Sequence, residues 1–532
     1  MTLTLQKKPL TIDRFKIMNS SIWIVDFGSQ YTQLITRKFR ELGYTSEIIT
    51  PDEGLERIKD QRPKVLVLSG GPQSVFEDQT DYSPFFKSAD LPILGICYGM
   101  QILGQFFGGK VEKGVQGEYG LAALHTVGDF LVPGLPKTSN VWMSHSDHVS
   151  VLPKGFKQVF SSENGLVAGI KSEDRPILGL QFHPEVHHTV HGQDVLNYFL
   201  DSIARLPKDW SSKTMLQSCL EEVRQVKGSK VLCAFSGGVD SLVAATLTQR
   251  ELGDDLYCFF VNNGLLRPQD LHTIKLLQEK TSLNIEVIDA SEEFLGALAG
   301  LKDPEQKRKT IGRVFIEIFE KKVHEYEKNH GIKFSYLLQG TLYPDVIESI
   351  SPHKKGGKSV TIKSHHNVGG LPERMHLKLL EPLKFLFKDE VRAMGKELGL
   401  EHDWVYRHPF PGPGIGVRVL GELHRDSIRK VQESDQILFE ELKSNGLYQS
   451  TWQAFTVLLP VKTVGVKGDG RVFEEVIALR LVNSQDGMTA SVTELPWSFL
   501  NKVSSRICNE VKGITRVVYD LTSKPPGTIE WE

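Results

Sequence analysis

Cysteine is scarce in this chain, with five among 532 residues (Cys97, Cys219, Cys233, Cys258 and Cys508), and no two form a C-x-x-C pair. The scatter argues against a disulfide framework and against a structural zinc site, and a reducing compartment fits best. No run of about eighteen apolar residues occurs, the length a membrane-spanning helix needs. The first twenty residues are polar and mixed, without the apolar centre of a signal peptide. A soluble cytoplasmic protein is therefore expected. An excess of one charge is also missing, with 63 Lys and Arg against 65 Asp and Glu. Nothing in that balance calls for nucleic acid or a membrane as partner, although a local basic cluster could hold a small anion. No repeat of solenoid period is present.

What is there is a long alternation of short apolar runs with helical patterns, the mark of layered α/β folds. Runs at 22–27, 65–68, 92–96 and 177–182 form a first series, and runs at 231–235, 256–261, 285–289 and 336–339 a second. Two doubly wound, mainly parallel sheets are expected, each with its own core. The polar stretch 207–213 reads as the linker between them. Segment 353–370 (HKKGGKSVTIKSHHNVGG) is basic and Gly-rich, with too little apolar surface for a core, and reads as a mobile loop. After the Pro/Gly run 409–414 the pattern changes to a long helix near 426–442 and strands near 463–466, 476–482 and 516–521, a smaller α+β domain. The boundaries that follow are a tail at 1–20 and domains at 21–208, 209–407 and 408–532.

Two strand-to-helix junctions carry chemistry. The first is Gly95-Ile96-Cys97-Tyr98-Gly99, a G-x-C-x-G between a strand at 91–96 and a helix at 98–107. Small flanking residues permit a sharp turn that lifts a nucleophile above the sheet, and a helix N-terminus favours a thiolate. The base comes from His183-Pro184-Glu185, because Pro184 holds His183 extended and so sends His183 and Glu185 to the same side. Cys97, His183 and Glu185 then supply nucleophile, base and orienting group. His145, His148, His187 and His188 are weaker candidates.

The second junction is Ser236-Gly237-Gly238-Val239-Asp240-Ser241, after a strand at 230–235 and before a helix expected to start near Leu242. Such a turn aims backbone N–H groups at one point and suits a phosphate. No lysine follows the glycines, so this is not the G-x-x-x-x-G-K-[ST] loop. Asp240 has two readings, as a neighbour of Mg²⁺ or as a cap on the helix. Val261 and Gly340 end the adjacent strands, where open parallel sheets place ligands, and Asp345 is a further candidate for metal or substrate positioning.

These motifs resemble known families. GICYGMQ and QFHPEV, with DFGSQY and LSGGPQSV, resemble the class I glutamine amidotransferases. That resemblance implies a glutamyl thioester on Cys97, released ammonia, an oxyanion held by Gly70 and Gly71, and a glutamine pocket that includes Gln101. SGGVDS resembles the loop of ATP pyrophosphatases, which cut ATP between its α- and β-phosphates. The implied ATP contacts are Ser236 to Ser241, with Leu242 where that family commonly has a second serine, and Mg²⁺ accompanies the ATP. Fused in this order, and joined to IKSHHNVGGLP, RHPFPGPGIGVR, VGVKGDGR and the terminal SKPPGTIEWE, the two halves resemble the glutamine-hydrolysing GMP synthetases. The resemblance implies a carbon–nitrogen ligase that adenylates xanthosine 5′-monophosphate (XMP) and replaces AMP by ammonia. It further implies Arg308, Lys524 and Glu530 as XMP contacts, Lys363, His365 and His366 on a lid, and a homodimer through the last domain. RNA sulfur transfer also uses such loops, but would need a sulfur-carrying cysteine beside the loop, and Cys233 and Cys258 lie inside apolar strands.

Overall fold

The computed structural model describes residues 20–349, 375–484 and 489–532. They divide into two compact units, one ending at Ser218 and the other beginning at Cys219, a boundary inside the helix Ser212–Arg224.

The first unit holds nine strands: β1 (Ile22–Val25), β2 (Ser46–Ile49), β3 (Val65–Leu68), β4 (Ile93–Ile96), β5 (Lys110–Thr126), β6 (Thr138–Val151), β7 (Phe156–Ser162), β8 (Val167–Ser172) and β9 (Ile177–Leu180). They form one sheet in the order β2-β1-β3-β4-β9-β8-β7-β5-β6. β1, β3, β4 and β9 read IWIV, VLVL, ILGI and ILGL and are buried at every residue. Continuous apolar strands are what a parallel sheet covered on both faces requires. The ladder from β2 to β9 is parallel, whereas from β9 outward every pairing is antiparallel. The expected parallel sheet is therefore half of a larger mixed one. The antiparallel half is written as alternation, since β6 buries every second residue over most of its length.

The second unit opens with β10 (Val231–Ala234), β11 (Leu256–Asn262), β12 (Ile285–Asp289), β13 (Tyr336–Leu338) and β14 (Lys378–Leu380), all parallel in the order β12-β11-β10-β13-β14. The chain builds outward from β10 on one side, then returns to build on the other. Such reversals of strand order are where open α/β sheets bind ligands, at the carboxyl ends of the strands.

The remaining strands are β15 (Gln453–Lys467), β16 (Gly470–Asn483), β17 (Ser491–Val492) and β18 (Ile514–Tyr519). β15 and β16 make a long antiparallel hairpin, and β18 pairs parallel to β16. The helices Arg425–Ser444 and Trp497–Glu510 cover this sheet. One cluster of buried side chains runs from Leu232 and Phe259 through Ile415 and Val419 to Leu479 and Ile514, so this region shares its core with the five-stranded sheet. The expected break at 409–414 leads into a buried 3-10 turn, Gly414–Val417, that belongs to the same core. Among the described residues no helix is long and apolar enough to cross a membrane.

Candidate active sites

β3, β4 and β9 are neighbours, so their carboxyl ends bring three distant segments together. β4 stops at Ile96 and the helix Tyr98–Phe106 begins at once, leaving Cys97 at φ 52° and ψ −107°. That backbone is strained for a residue with a Cβ, and it makes the sharp elbow expected of G-x-C-x-G. Position 99 must be glycine, because a Cβ there would lie 2.2 Å from Leu68 O.

His183 and Glu185 follow β9 and are each 2 % exposed. His183 Nδ1 donates to Glu185 Oε1 at 2.7 Å, while the Cys97 thiol donates to Ser144 O at 3.6 Å. Burial disfavours a charged imidazole here, yet the Glu185 carboxylate and then the Cys97 sulfur hold the His183 pKa well above its ordinary value. The ring is fixed further by the edge of Tyr31 at 4.9 Å and by Thr189 Oγ1, which donates to His183 O at 2.6 Å.

Gly70 borders the same point: a Cβ on it would meet His183 Cε1 at 3.1 Å and Cys97 Cβ at 3.6 Å. The N–H groups of Gly70 and Gly71 have no protein acceptor among the described residues. Tyr98 opens its helix, where the N–H lacks an intrahelical acceptor. This third donor was missed in the sequence, although an elbow places one on the residue after the nucleophile. Gln101 is buried and donates from Nε2 to Asp147 O at 2.8 Å. Of the weaker candidates, His145 is buried against Glu118 Oε2 and Asp147 O, both at 3.1 Å, and burial lowers its pKa. His148 is half-buried, while His187 and His188 are exposed, the latter against Trp142.

In the second unit the helix after β10 is Val239–Leu252, so it starts three residues earlier than near Leu242. Gly238 occupies the cap, and Asp240 lies in the first turn rather than capping it. Gly237 takes φ 67°, and the N–H groups of Val239, Asp240 and Ser241 are left without intrahelical acceptors. The result is a concave set of donors suited to phosphate oxygens. Ser236 Oγ and Ser241 Oγ are 3.0 Å apart, and Ser241 Oγ donates to Gly238 O at 3.0 Å, which stiffens the turn. Gly340 abuts it, since a Cβ there would lie 3.0 Å from Asp240 C, and Val261 lies near the end of β11. Leu242 does not face the loop's concave side: it is 1 % exposed, and its N–H donates to Gly238 O at 2.9 Å. Asp345 sits in the first turn of Tyr343–Ser349 and accepts the Leu342 N–H at 3.0 Å, a local helix-start contact.

The lysine that the loop lacks in sequence arrives through space. Lys388, at the start of the helix Lys388–Glu397, places Nζ 2.5 Å from Asp240 Oδ2. Asp240 Oδ1 is buried with no partner. One unsatisfied carboxylate oxygen beside a phosphate cradle fits a Mg²⁺ ion, which is typically held by one or two carboxylates together with substrate phosphates.

The C-terminal segment is held by buried cations that the sequence reading passed over. Arg480, fully buried, donates to Thr522 O at 2.5 Å, Thr528 O at 2.9 Å and Ile529 O at 3.3 Å. Arg418, also fully buried, binds both carboxylate oxygens of Glu530 at 2.9 and 3.2 Å, and Gln453 Nε2 adds a bond at 2.9 Å. Arg308 donates to the main-chain oxygen of Glu532, beside the fully buried Lys307 that binds Glu532 Oε2 at 2.6 Å. Lys524 pairs through its backbone with Ala490. Arg308 and Glu530 are thus gathered at one tail. Lys363, His365 and His366 lie outside the described residues.

Residues 23–203 match the glutamine amidotransferase class-I family, and residues 440–531 match the GMP synthase C terminal domain. Proteins named GMP synthase [glutamine-hydrolyzing] align over almost the whole chain. The one from Chlorobaculum tepidum is 52 % identical over 521 residues, covering 96 % of this chain and 99 % of that protein. Those from Aquifex aeolicus and Thermosipho africanus are 50 % and 49 % identical over 514 and 516 residues, again covering 96 % of this chain and at least 99 % of theirs. With identity near one half over 96 % of its length, the chain belongs to the glutamine-hydrolysing GMP synthase family.

Proposed function

We propose that this chain is a glutamine-dependent ligase that makes GMP from XMP, with ammonia produced at Cys97, His183 and Glu185 and consumed at the loop Ser236 to Ser241. The observation that carries this reading is the presence of both junctions, complete, in one chain of this family.

At the first site the Cys97 thiolate attacks the glutamine side-chain carbonyl. The oxyanion is met by the unsatisfied N–H groups of Gly70, Gly71 and Tyr98. His183, kept protonated by Glu185, gives its proton to the departing ammonia and then accepts one from the water that cleaves the thioester. Gln101 lines the adjacent pocket.

At the second site the loop's N–H groups, the Ser236 and Ser241 hydroxyls and Lys388 bind the β- and γ-phosphates of ATP. The C2 oxygen of XMP attacks the α-phosphorus and pyrophosphate leaves. Ammonia then adds at C2 and AMP departs, leaving GMP. Mg²⁺, held by Asp240 and the phosphates, would supply charge neutralisation there. Arg308, Lys524 and Glu530 are assigned to XMP, with Lys363, His365 and His366 on the segment that closes over it. Dimerisation is assigned to the last region, where Val464, Val466 and Phe473 of the β15-β16 hairpin are more than half exposed. Incubation with XMP, ATP, Mg²⁺ and either glutamine or ammonia tests the reading, with AMP, pyrophosphate and GMP expected from both nitrogen sources.

A further inference from the structure

Near the phosphate loop the second unit holds two guanidinium groups, Arg392 and Arg407, that no carboxylate among the described residues pairs with. The helix Lys388–Glu397 lies between the loop helix Val239–Leu252 and the short helix His402–Val405. A Cβ on its Gly395 would come within 3.2 Å of Val243 and 3.0 Å of Val405. Lys388, Arg392 and Gly395 follow one another at helical spacing on that face. Arg392 therefore sits between the Lys388–Asp240 contact and the contact with Val243 and Val405. Its guanidinium lies 5.6 Å from the ring of Tyr406, the residue before Arg407 in the chain.

Arg392 and Arg407 are half-buried, neither has an ion pair or hydrogen bond among the described residues, and Arg392 Nε is buried without a partner. The carboxylates whose field reaches Arg407 are already paired. Asp270 accepts two bonds from Arg267 at 2.9 and 3.0 Å, and Asp240 Oδ2 is on Lys388. The surroundings register the surplus. Burial lowers the Arg407 pKa, with Asp270 opposing and Arg267 adding to the fall. His408, 5 % exposed, is brought to about 4 by burial first and by Arg267, Arg392 and Lys443 after it. A half-buried guanidinium without an anion is costly, and it is tolerated where a ligand supplies the anion.

We propose that Arg392 and Arg407 form the seat of the departing pyrophosphate, binding β- and γ-phosphate oxygens of ATP alongside the loop and Lys388. The inference rests on the ATP cleavage proposed above. As the XMP oxygen bonds to the α-phosphorus, the bridging P–O bond to the β-phosphate breaks and its electron pair leaves with pyrophosphate. Guanidinium forks match phosphate oxygens in pairs and stabilise that growing charge.

The full-length Arg392→Gln and Arg407→Gln variants are compared with the unaltered protein using ammonia as nitrogen donor. The KM for ATP and the inhibition constant of inorganic pyrophosphate should both rise by about tenfold or more, as loss of a charge-assisted bond implies. The KM for XMP should stay unchanged, and Arg407→Lys should recover part of the loss. Unchanged ATP and pyrophosphate constants would overturn the proposal, and so would a rise confined to the XMP KM, which would give these arginines to the acceptor. A second measurement needs no variant: inorganic pyrophosphate with Mg²⁺ should protect Arg392 and Arg407 of the unaltered protein from phenylglyoxal, read by peptide mass. Equal modification with and without pyrophosphate contradicts the seat. Failure of the broader reading is separate, because the unaltered protein would then release no pyrophosphate in response to XMP.

Discussion

His183 Nδ1 and Glu185 Oε1 lie 2.7 Å apart, and both residues are almost wholly buried. A carboxylate in that position keeps the imidazole protonated above its ordinary range and turns its other nitrogen to the thiol. The pH behaviour of the glutaminase follows from this pair.

Glu185→Gln removes the charge that raises the His183 pKa. Glutaminase activity should fall about a hundredfold or more, the scale of lost acid–base assistance. Its alkaline limb should move to lower pH, toward the ordinary imidazole range. The sign for stability agrees: a raised folded-state pKa favours folding fully below the unfolded value, and that contribution fades as pH rises through the folded value. A pH–rate profile of glutamine hydrolysis reads the shift.

Cys97→Ala should abolish glutamine use and leave ammonia-dependent GMP formation intact, because the second site has its own sheet and loop. Parallel assays with the two nitrogen donors check this, and loss of both activities would contradict the separation of roles.

Gly70→Ala should cost about a hundredfold in glutaminase, as misplacement on the ångström scale does. The added Cβ would lie 3.1 Å from His183 Cε1, inside ordinary contact distance. The melting temperature should change little, since the crowding falls on the reacting groups. Kinetics and thermal unfolding measured on one preparation separate the two effects.

Lys388→Met should raise the KM for ATP, and Asp240→Asn should raise the Mg²⁺ concentration needed for half-maximal synthesis, with glutaminase unchanged in both. These follow from the 2.5 Å contact between them and from the unpartnered Asp240 Oδ1. Titrations of ATP and Mg²⁺ decide it.

Arg418→Met should destabilise the protein by about 3–5 kcal/mol, the cost of breaking a buried ion pair from one side. It strands Asp435, fully buried, and Glu530. Denaturant unfolding measures this, and the KM for XMP should rise in the fraction that stays folded because the tail loses its anchor.

Much of the first site was legible because its chemistry sits in short contiguous motifs at strand ends. Cys97, His183, Glu185 and Gly70 needed only the assumption that β3, β4 and β9 are adjacent, which the sheet order bears out. The loop was equally legible, but its helix start was misplaced by three residues because Gly238, rather than a side-chain cap, begins it. Lys388, Arg418 and Arg480 were not legible. Each acts on a residue far away in sequence (Asp240, Glu530 and Thr522), and local pattern carries no sign of such pairings. The antiparallel strands β5 to β8 were written as alternation but mix polar and apolar residues, which hid them behind the continuous apolar runs of the parallel strands.

The central claim is tested most directly by following pyrophosphate release from ATP with ammonia as the nitrogen donor, with and without XMP. The account predicts release that depends on XMP and matches AMP and GMP mole for mole. ADP and phosphate as products, or pyrophosphate release indifferent to XMP, would contradict it.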